Sequence, residues 1–273
     1  MRTLELAGVQ VPVIGQGTWH MGEDHAAHTR EVAALRQGIE LGMTLIDTAE
    51  MYAEGGAETV VGQAIAGLRD RVFLVSKVYP HNASRTGIPQ ACERSLRRLG
   101  TDYIDLYLLH WRGQYPLEET VEAFERLRAD GKIGRWGVSN FDVDDLEELS
   151  SSACATNQVL YNLEERGIEF DLLPWSQQQR MPLMAYCPIG QAGAMLAEPV
   201  LNTIAARHGV TSAQVSLAWI LRQDGVIAIP KAVRPEHVQL NAQAAQLQLE
   251  AGDLAALDEV FKAPQRKQRL AMV

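Results

Sequence analysis

The sequence is poor in cysteine: three occur, Cys92, Cys154 and Cys187, and none belongs to a C-x-x-C pair. An odd set without paired spacings argues against a disulfide framework and gives no zinc-site pattern, so we expect no metal site. The opening segment MRTLELAGVQVPVIG lacks an apolar run long enough for a signal peptide, and no other stretch is long enough to span a bilayer. These absences predict a cytoplasmic protein that does not contact the membrane.

Positive charge is also scarce, because 25 lysines and arginines face 34 acidic residues and leave a net charge of -9. This balance argues against nucleic acid and anionic membranes as partners, although it allows a local basic pocket for a phosphorylated cofactor. No heptad pattern or apolar stripe demands a protein partner, so we expect a monomer. With 47% hydrophobic residues, the 273 residues suffice for one large core, and we expect a single domain over residues 1–273.

Short apolar runs alternate with segments of helical periodicity along almost the whole chain. Such alternation predicts parallel strands joined by helical crossovers, and eight such units close into an α/β fold, the (β/α)8 or TIM barrel. The run LELAGVQVPVI, with its central glycine, predicts a hairpin before the barrel. The eight strands are predicted at Ile14–Thr18, Leu45–Asp47, Val72–Lys77, Ile104–His110, Ile133–Ser139, Gln158–Leu160, Pro182–Tyr186 and Val226–Pro230.

Helices are predicted between these strands and after the last one. In the first of them, Gly38 and Gly42 are interpreted as stop signals. A doubly wound open sheet is the alternative, but no G-x-G-x-x-G motif follows the first strand. The predicted helices are Glu31–Leu41, Thr59–Leu68, Ile88–Leu99, Thr120–Asp130, Asp144–Leu149, Leu172–Gln179, Val200–His208, Ser212–Gln223, Pro235–Leu247 and the terminal Ala251–Phe261.

Polar and ionisable residues mark the carboxyl ends of the predicted strands, where barrels of this type carry their functional groups. Asp47 ends the second strand, Lys77 the third and His110 the fourth, while Tyr52 lies on the loop beyond the second strand. Each has an ordinary explanation taken singly, such as a core histidine or a surface lysine. Their repetition at one end of successive strands favours a common site.

Together these four groups suit proton delivery to a carbonyl oxygen. A tyrosine titrates near pH ~10, and an adjacent ammonium from Lys77 is expected to lower that pKa and ease proton donation. Asp47 would keep the lysine charged, and the imidazole of His110 would orient the substrate oxygen. Since no side chain supplies a hydride, a nicotinamide cofactor is predicted.

The motifs at these positions resemble those of the aldo-keto reductases, from the opening hairpin to the last helix, and within that family the bacterial methylglyoxal reductase-like members. The resemblance implies a (β/α)8 barrel with an N-terminal hairpin closing the base and an extra C-terminal helix. The motifs are GQGTW (15–19), IDTAEMY (46–52), VSKV (75–78), LYLLHW (106–111), GVSNF (137–141), NQVLYN (157–162), AYCPIGQ (185–191) and IPKAVRPEHVQLNAQA (229–244).

The resemblance also implies a role for each matching residue. Tyr52 would be the general acid, with Lys77, Asp47 and His110 as its catalytic partners. Tyr186 would stack on the nicotinamide, and Trp19 and Trp111 would join Tyr52 and His110 in the substrate pocket. The cofactor-binding residues implied are Gly17, Thr18, Trp19, Asp47, Ser139, Asn140, Gln158, Tyr186, Pro188, Ile189, Gln191, Lys231, Ala232, Val233, Arg234, His237 and Asn241.

The adenosine end departs from the family pattern in two places. Lys231 and Arg234 would place positive charge beside a 2′-phosphate and favour NADPH, with NADH as a weaker cofactor. Ala232 stands where serine is common, and His237 where arginine is frequent, so contacts to phosphate and adenine are lost. We therefore expect a preference for NADPH on the order of tens-fold, the worth of one or two charge-assisted bonds.

The segment IGQAGAMLAEPV and the tail KAPQRKQRLAMV are both short. The resemblance then implies an open site for small carbonyls such as methylglyoxal, other 2-oxoaldehydes and aromatic aldehydes, with sugar aldehydes or diketo acids as the nearest rivals. Two alternatives of other classes remain: a cofactor-binding regulatory subunit, and a barrel isomerase or lyase that acts on a phosphorylated sugar.

Overall fold

The computed structural model of the chain describes residues 1–149, 153–191 and 193–273. An antiparallel hairpin comes first, formed by β1 (Thr3–Leu6) and β2 (Val9–Pro12). Eight parallel strands follow in one sheet, in chain order from the first to the last. They are β3 (Gln16–Gly17), β4 (Leu45–Asp47), β5 (Phe73–Val78), β6 (Ile104–Leu109), β7 (Ile133–Ser139), β8 (Cys154–Leu160), β9 (Leu183–Tyr186) and, after the extended segment β10 (Pro188–Gln191), β11 (Val226–Ala228).

The sheet closes on itself between its first and last strands. The Gly15 amide donates a hydrogen bond to the Ala228 carbonyl at 2.9 Å, and the Gly17 amide donates to the Pro230 carbonyl at 3.0 Å. The predicted (β/α)8 barrel is therefore confirmed. Within the described residues, no helix is long and apolar enough to cross a bilayer.

Helices cover the outside of the barrel, and every predicted helix is present with its ends shifted by a few residues at most. The largest shifts are at the amino ends of the first, second and fourth helices, which begin three residues earlier than predicted, and at the carboxyl ends of the second, eighth and ninth helices, which end three residues earlier. The α-helices are α1 (His28–Glu40), α2 (Gly56–Ile65), α3 (Gly87–Leu99), α4 (Leu117–Ala129), α5 (Val143–Glu148), α6 (Leu172–Gln178), α7 (Pro199–His208), α8 (Ser212–Ile220), α9 (Pro235–Ala244) and α10 (Ala251–Val260).

The barrel interior is a separate apolar core to which the hairpin contributes. Leu6 and Val11 of the hairpin are fully buried and belong to the same cluster as residues from the barrel strands. Leu45 and Phe73 of this cluster are the first residues of β4 and β5. The hairpin thus plugs the amino-terminal end of the barrel, as predicted, and leaves the carboxyl end free for a site.

Gly38 does not end the first helix, which is a correction to its interpretation as a stop signal. α1 continues to Glu40, and the Gln16 side-chain amide occupies the position where a Cβ atom on Gly38 would lie. Gln16 Nε2 donates to the carbonyls of Leu35 at 3.2 Å and Met43 at 2.9 Å. The glycine is required because the buried amide, which anchors α1 to the barrel, approaches the helix backbone closely.

Gly38→Ala is therefore expected to lower the free energy of unfolding by about 2 kcal/mol, because the added methyl displaces the Gln16 amide in a packed region. Chemical denaturation of both proteins measures the difference. Gly252→Ala is the matched control: a Cβ at Gly252 in α10 meets no atom within 4 Å, so this change is expected to stabilise the protein slightly, by about 0.5 kcal/mol. Equal effects of the two substitutions would contradict the packing argument.

Candidate active site

Asp47, Tyr52 and Lys77 meet at the carboxyl end of the barrel. Asp47 ends β4, Lys77 lies one residue before the end of β5, and Tyr52 begins a short 3-10 turn after β4. Lys77 Nζ donates to Asp47 Oδ2 at 2.8 Å, to the Thr48 carbonyl at 2.9 Å and to the Tyr52 hydroxyl at 3.1 Å. His110, directly after β6, places its ring centroid 5.7 Å from that of Tyr52. The structure thus brings the four predicted catalytic residues together.

The Asp47–Lys77 ion pair is buried and saturated with hydrogen bonds. Asp47 is 2% exposed and Lys77 is fully buried. The second carboxylate oxygen, Asp47 Oδ1, accepts from Gln158 Nε2 at 2.8 Å, and Thr18 Oγ1 donates to the Asp47 carbonyl at 2.9 Å. Since buried charges require both a counter-charge and hydrogen-bond partners, this network fixes Lys77 in one position beneath Tyr52.

The pKa of Tyr52 is shifted in the opposite direction to the one expected from its neighbour. Burial raises the pKa of Tyr52 and outweighs the Lys77 ammonium, which lowers it. The prediction of a lowered pKa is therefore wrong, because sequence reasoning did not include the cost of burying a phenolate. Burial alone would lower the pKa of Lys77, but Asp47 and Tyr52 raise it above its ordinary value. At neutral pH the pair is therefore a phenol beside an ammonium.

His110 is neutral at physiological pH. Burial, with a smaller contribution from the Lys77 ammonium, lowers the pKa of His110 to about 2. Its Nδ1 atom is buried and has no hydrogen-bond partner among the residues that the structure describes. Buried polar atoms normally have partners, and an unpartnered ring nitrogen adds to the cost of protonating this imidazole.

Two adjoining cavities meet at Tyr52. The large cavity, about 380 Å³, extends from the end of β3 to the segment after β9 and reaches Lys231. The small cavity, about 200 Å³, contains the substrate-pocket residues of the prediction, Trp19, Tyr52, His110 and Trp111, in its wall. Trp19, Tyr52 and Tyr186 line both, so the two cavities form one cleft.

The predicted cofactor-binding residues fall into three groups along this cleft. Gly17, Thr18, Trp19, Asp47, Tyr186, Pro188, Ile189, Gln191 and Lys231 line the large cavity. Ser139, Asn140, Gln158 and again Tyr186 line the small cavity. Ala232, Val233, Arg234, His237 and Asn241 lie beyond Lys231, on the segment that leads into α9 and on α9 itself. Arg234 is exposed and its Nη2 atom lies 2.7 Å from His237 Nε2, while Asn241 is buried.

The chemistry of the cleft fits a nicotinamide nucleotide. The Tyr186 hydroxyl donates to Asn140 Oδ1 at 2.9 Å, which fixes the tyrosine ring where the two cavities join. Asn140 has a left-handed backbone with φ of 60° and donates through Nδ2 to the Ser139 hydroxyl at 3.2 Å. At Gly17, a Cβ atom would lie 2.7 Å from the Ile229 carbonyl oxygen, so this position has no room for a side chain. An aromatic face, amide groups and a cationic far end are thus aligned in one channel.

Comparison with known proteins identifies relatives that match this sequence over nearly its whole length. The model of the aldo/keto reductase family matches residues 13–262. The chain is 58% identical to the methylglyoxal reductase YeaE of Escherichia coli, over 97% of this chain and 96% of that protein. The chain belongs to the aldo/keto reductase family. It is also 35% identical to a glyoxal reductase of Bacillus subtilis, over 93% of this chain and 91% of that protein.

Solved structures of this reductase family superpose closely. An aldo/keto reductase of Klebsiella pneumoniae in complex with NADP and acetate has a TM-score of 0.97 and 57% identity, covering 99% of both chains. A second structure from the same organism, in complex with NADPH, has the same TM-score and identity. The chain is therefore an oxidoreductase of the aldo/keto reductase fold.

Several residues of the reductase cleft escaped sequence reasoning. The Thr48 carbonyl binds Lys77, but a backbone acceptor has no sequence signature. Met51 and Cys187 line the cavities and directly adjoin Tyr52 and Tyr186 in the sequence. Their position next to predicted site residues was the one sequence feature that could have identified them. Met272 and Val273 also line the small cavity. Although short, the tail reaches the site, a contribution that its length alone did not indicate.

The neutral state of His110 predicts how stability depends on pH. In the unfolded reductase the imidazole takes up a proton below its ordinary pKa of about 6.5, whereas the folded form remains neutral until far lower pH. The stabilisation is fully present above this value and is lost as pH falls, with a slope of at most about 1.4 kcal/mol per pH unit. Denaturation between about pH 7 and about pH 5 should show a shallower loss for His110→Gln than for the unmodified protein. Parallel pH profiles would contradict this.

Proposed function

We propose that this protein reduces small aldehydes and ketones to alcohols with NADPH, using Tyr52 as the general acid. The observation that carries the proposal is the position of Tyr52, whose hydroxyl lies 3.1 Å from the ammonium of a buried lysine and whose side chain lines both cavities where they join. The carbonyl substrate would occupy the small cavity and the cofactor the large one. When bound, NADPH supplies the hydride for the carbonyl carbon.

The protein residues would act on the carbonyl oxygen. Tyr52 is protonated at neutral pH and its hydroxyl would donate the proton to that oxygen. The Lys77 ammonium would stabilise the phenolate left behind, and Asp47 would hold Lys77 in place. The neutral imidazole of His110 would hydrogen-bond the substrate oxygen without competing as an acid. The phenolate would then recover its proton from solvent.

The residues that would hold the cofactor are those along the channel. Ser139, Asn140 and Gln158 would hydrogen-bond the carboxamide, and the Tyr186 ring would cover one face of the nicotinamide. Gly17, Thr18, Trp19, Pro188, Ile189 and Gln191 would surround the middle of the molecule, with Lys231 beyond them. Ala232, Val233, Arg234, His237 and Asn241 would form the adenosine end.

Cofactor selectivity would depend on Arg234. Its guanidinium is exposed and already near His237, so it is available to a 2′-phosphate. We expect kcat/KM for NADPH to exceed that for NADH by tens-fold, about the worth of one or two charge-assisted hydrogen bonds, and Arg234→Gln to remove about tenfold of this preference. The control is Arg30→Gln, which removes an exposed guanidinium on α1. Equal use of both cofactors would contradict the assignment.

We also propose 2-oxoaldehydes as substrates, with aromatic aldehydes as a second group. The support is the size of the small cavity, about 200 Å³, its tryptophan walls and the names of the relatives as methylglyoxal and glyoxal reductases. Sugar aldehydes and diketo acids carry more hydroxyl or carboxylate groups than this apolar wall favours. The protein would act as a single-domain monomer in the cytoplasm, without nucleic acid, membrane or metal.

The direct test is oxidation of NADPH, followed by its absorbance, with methylglyoxal and with 4-nitrobenzaldehyde. We expect turnover with both and formation of the corresponding alcohols. Tight NADPH binding without turnover of either compound would instead support the regulatory alternative. Faster turnover of sugar aldehydes than of methylglyoxal would overturn the substrate assignment while leaving the reaction class intact.

A further inference from the structure

The tail after α10 is fixed to the barrel before it reaches the cleft. Lys267 Nζ lies 2.6 Å from Asp142 Oδ1 and 2.5 Å from Asp171 Oδ2. Three residues later, Leu270 packs against the main apolar core. Met272 and Val273 then enter the wall of the small cavity, beside Tyr52 and His110. We call the contacts of Lys267 with the two aspartates the Lys267 clamp.

Both aspartates are held in place independently of the lysine. Asp142 precedes α5 and its Oδ1 atom accepts from the Val143 amide at 2.8 Å. Asp171 precedes α6 and accepts from the Leu172 amide through Oδ1 at 2.8 Å, which leaves Oδ2 for Lys267. Such capping interactions are themselves stabilising. The lysine therefore binds two preformed carboxylates on neighbouring units of the barrel.

The end of the tail separates two spaces. On one side lies the small cavity, and on the other a side groove of about 300 Å³. Met272 and Val273 line both, although each is more than half exposed. The side groove, which also contains Glu164, Glu165 and Met195 in its wall, would join the small cavity if these two residues moved away.

We propose that Lys267 is a positioning residue for substrate selection: the Lys267 clamp holds Met272 and Val273 as a partition that keeps the substrate space small. The inference rests on the proposed carbonyl reduction, because selection is defined for that site. Release of the clamp removes the charged contacts that hold the tail and leaves the packing of Leu270 as its anchor, so that Met272 and Val273 move more easily and open the side groove to the substrate. Bulky carbonyls then gain affinity relative to small ones, while the proton-transfer groups keep their geometry.

The size of the effect follows from the exposure of the ion pairs. Lys267 is 43% exposed and its partners 27% and 32%, so each pair is screened by solvent. Two such pairs together favour the closed position of the tail over the open position by a population ratio of roughly fivefold to tenfold. We therefore expect loss of the clamp to change the selectivity between bulky and small aldehydes by about fivefold, through KM more than through kcat.

The experiment compares Lys267→Met with Lys267→Arg and with the control Lys262→Met. Lys262 lies in the same tail, is exposed and has no ion-pair partner among the described residues. The readout is the ratio of kcat/KM for 2-naphthaldehyde to that for methylglyoxal. We expect this ratio to rise about fivefold in Lys267→Met, to stay near the unmodified value in Lys267→Arg and Lys262→Met, and to rise in the unmodified protein at high salt.

An unchanged ratio in Lys267→Met, with normal NADPH affinity, would overturn the proposal. A general loss of kcat for both aldehydes in this variant would also overturn it, since this indicates damage to the fold rather than a moved partition. Affinity for the two aldehydes, measured by quenching of tryptophan fluorescence with NADPH absent and present, provides the same ratio without turnover. It therefore tests the clamp even if the assignment of Tyr52 as the acid fails.

Discussion

Tyr52→Phe is expected to lower kcat by about a thousandfold while NADPH binds with unchanged affinity. The substitution removes the hydroxyl that Lys77 Nζ contacts at 3.1 Å and leaves the aromatic ring that lines both cavities. General acids of this kind contribute about 10² to 10⁴ to the rate. Single-turnover measurements of NADPH oxidation, with cofactor affinity from fluorescence titration, separate the two quantities.

Tyr103→Phe is the matched control for this experiment. Tyr103 lies just before β6, at the opposite end of the barrel from the cleft, and loses the same hydroxyl group. We expect its kcat to remain within about twofold of the unmodified protein, because the lost hydroxyl lies at the other end of the barrel from the reacting groups. Full activity of Tyr52→Phe would mean that another group donates the proton. A matching loss in Tyr103→Phe would point to a general effect on the fold.

Lys77→Met is expected to reduce both activity and stability. It removes the cation that binds Tyr52 and leaves the Asp47 carboxylate buried without its counter-charge. Breaking a buried pair in this way costs about 3 to 5 kcal/mol of folding free energy. Chemical denaturation measures that loss, and the same NADPH oxidation assay measures the rate, which we expect to fall by at least about a hundredfold.

The double variant Asp47→Asn, Lys77→Met separates the two effects. Removing both charges avoids an unpaired buried carboxylate, so most of the lost stability should return. Activity should not return, because Tyr52 still lacks its cationic neighbour. If the double variant is as unstable as Lys77→Met, the buried pair is not the source of the destabilisation.

The barrel was predictable because its strands are buried on both faces and therefore form short apolar runs between helices. β8 shows where this signal fails. It begins at Cys154, four residues before the predicted start at Gln158. Thr156 and Asn157 interrupt the apolar run, yet both are buried, with Thr156 Oγ1 donating to the Pro182 carbonyl and Asn157 Nδ2 to the Phe141 carbonyl. Polar residues that find partners across the fold cannot be distinguished from loop residues by periodicity.

The site was predictable to the extent that its groups occupy strand ends. Asp47, Lys77 and His110 could be located in this way, and Tyr52 by its nearness to Asp47. The direction of the Tyr52 pKa was not predictable, because it depends on the balance between burial and the Lys77 charge. Nor was the position of Val273, since the sequence of the tail does not reveal that Lys267 meets aspartates from two other units.

The seam between the first and last barrel strands links assembly of the cleft to completion of the fold. Gly17 pairs with Pro230 there, and both the first strand and the segment leading to Lys231 form walls of the large cavity. Contacts between opposite ends of a chain are the slowest to form, because the longest loop must close first. The cofactor channel is thus created by one of the last folding events, and a nascent chain acquires it only when synthesis is nearly complete. A ligand that binds this channel only when the seam is closed would therefore stabilise the closed barrel by mass action.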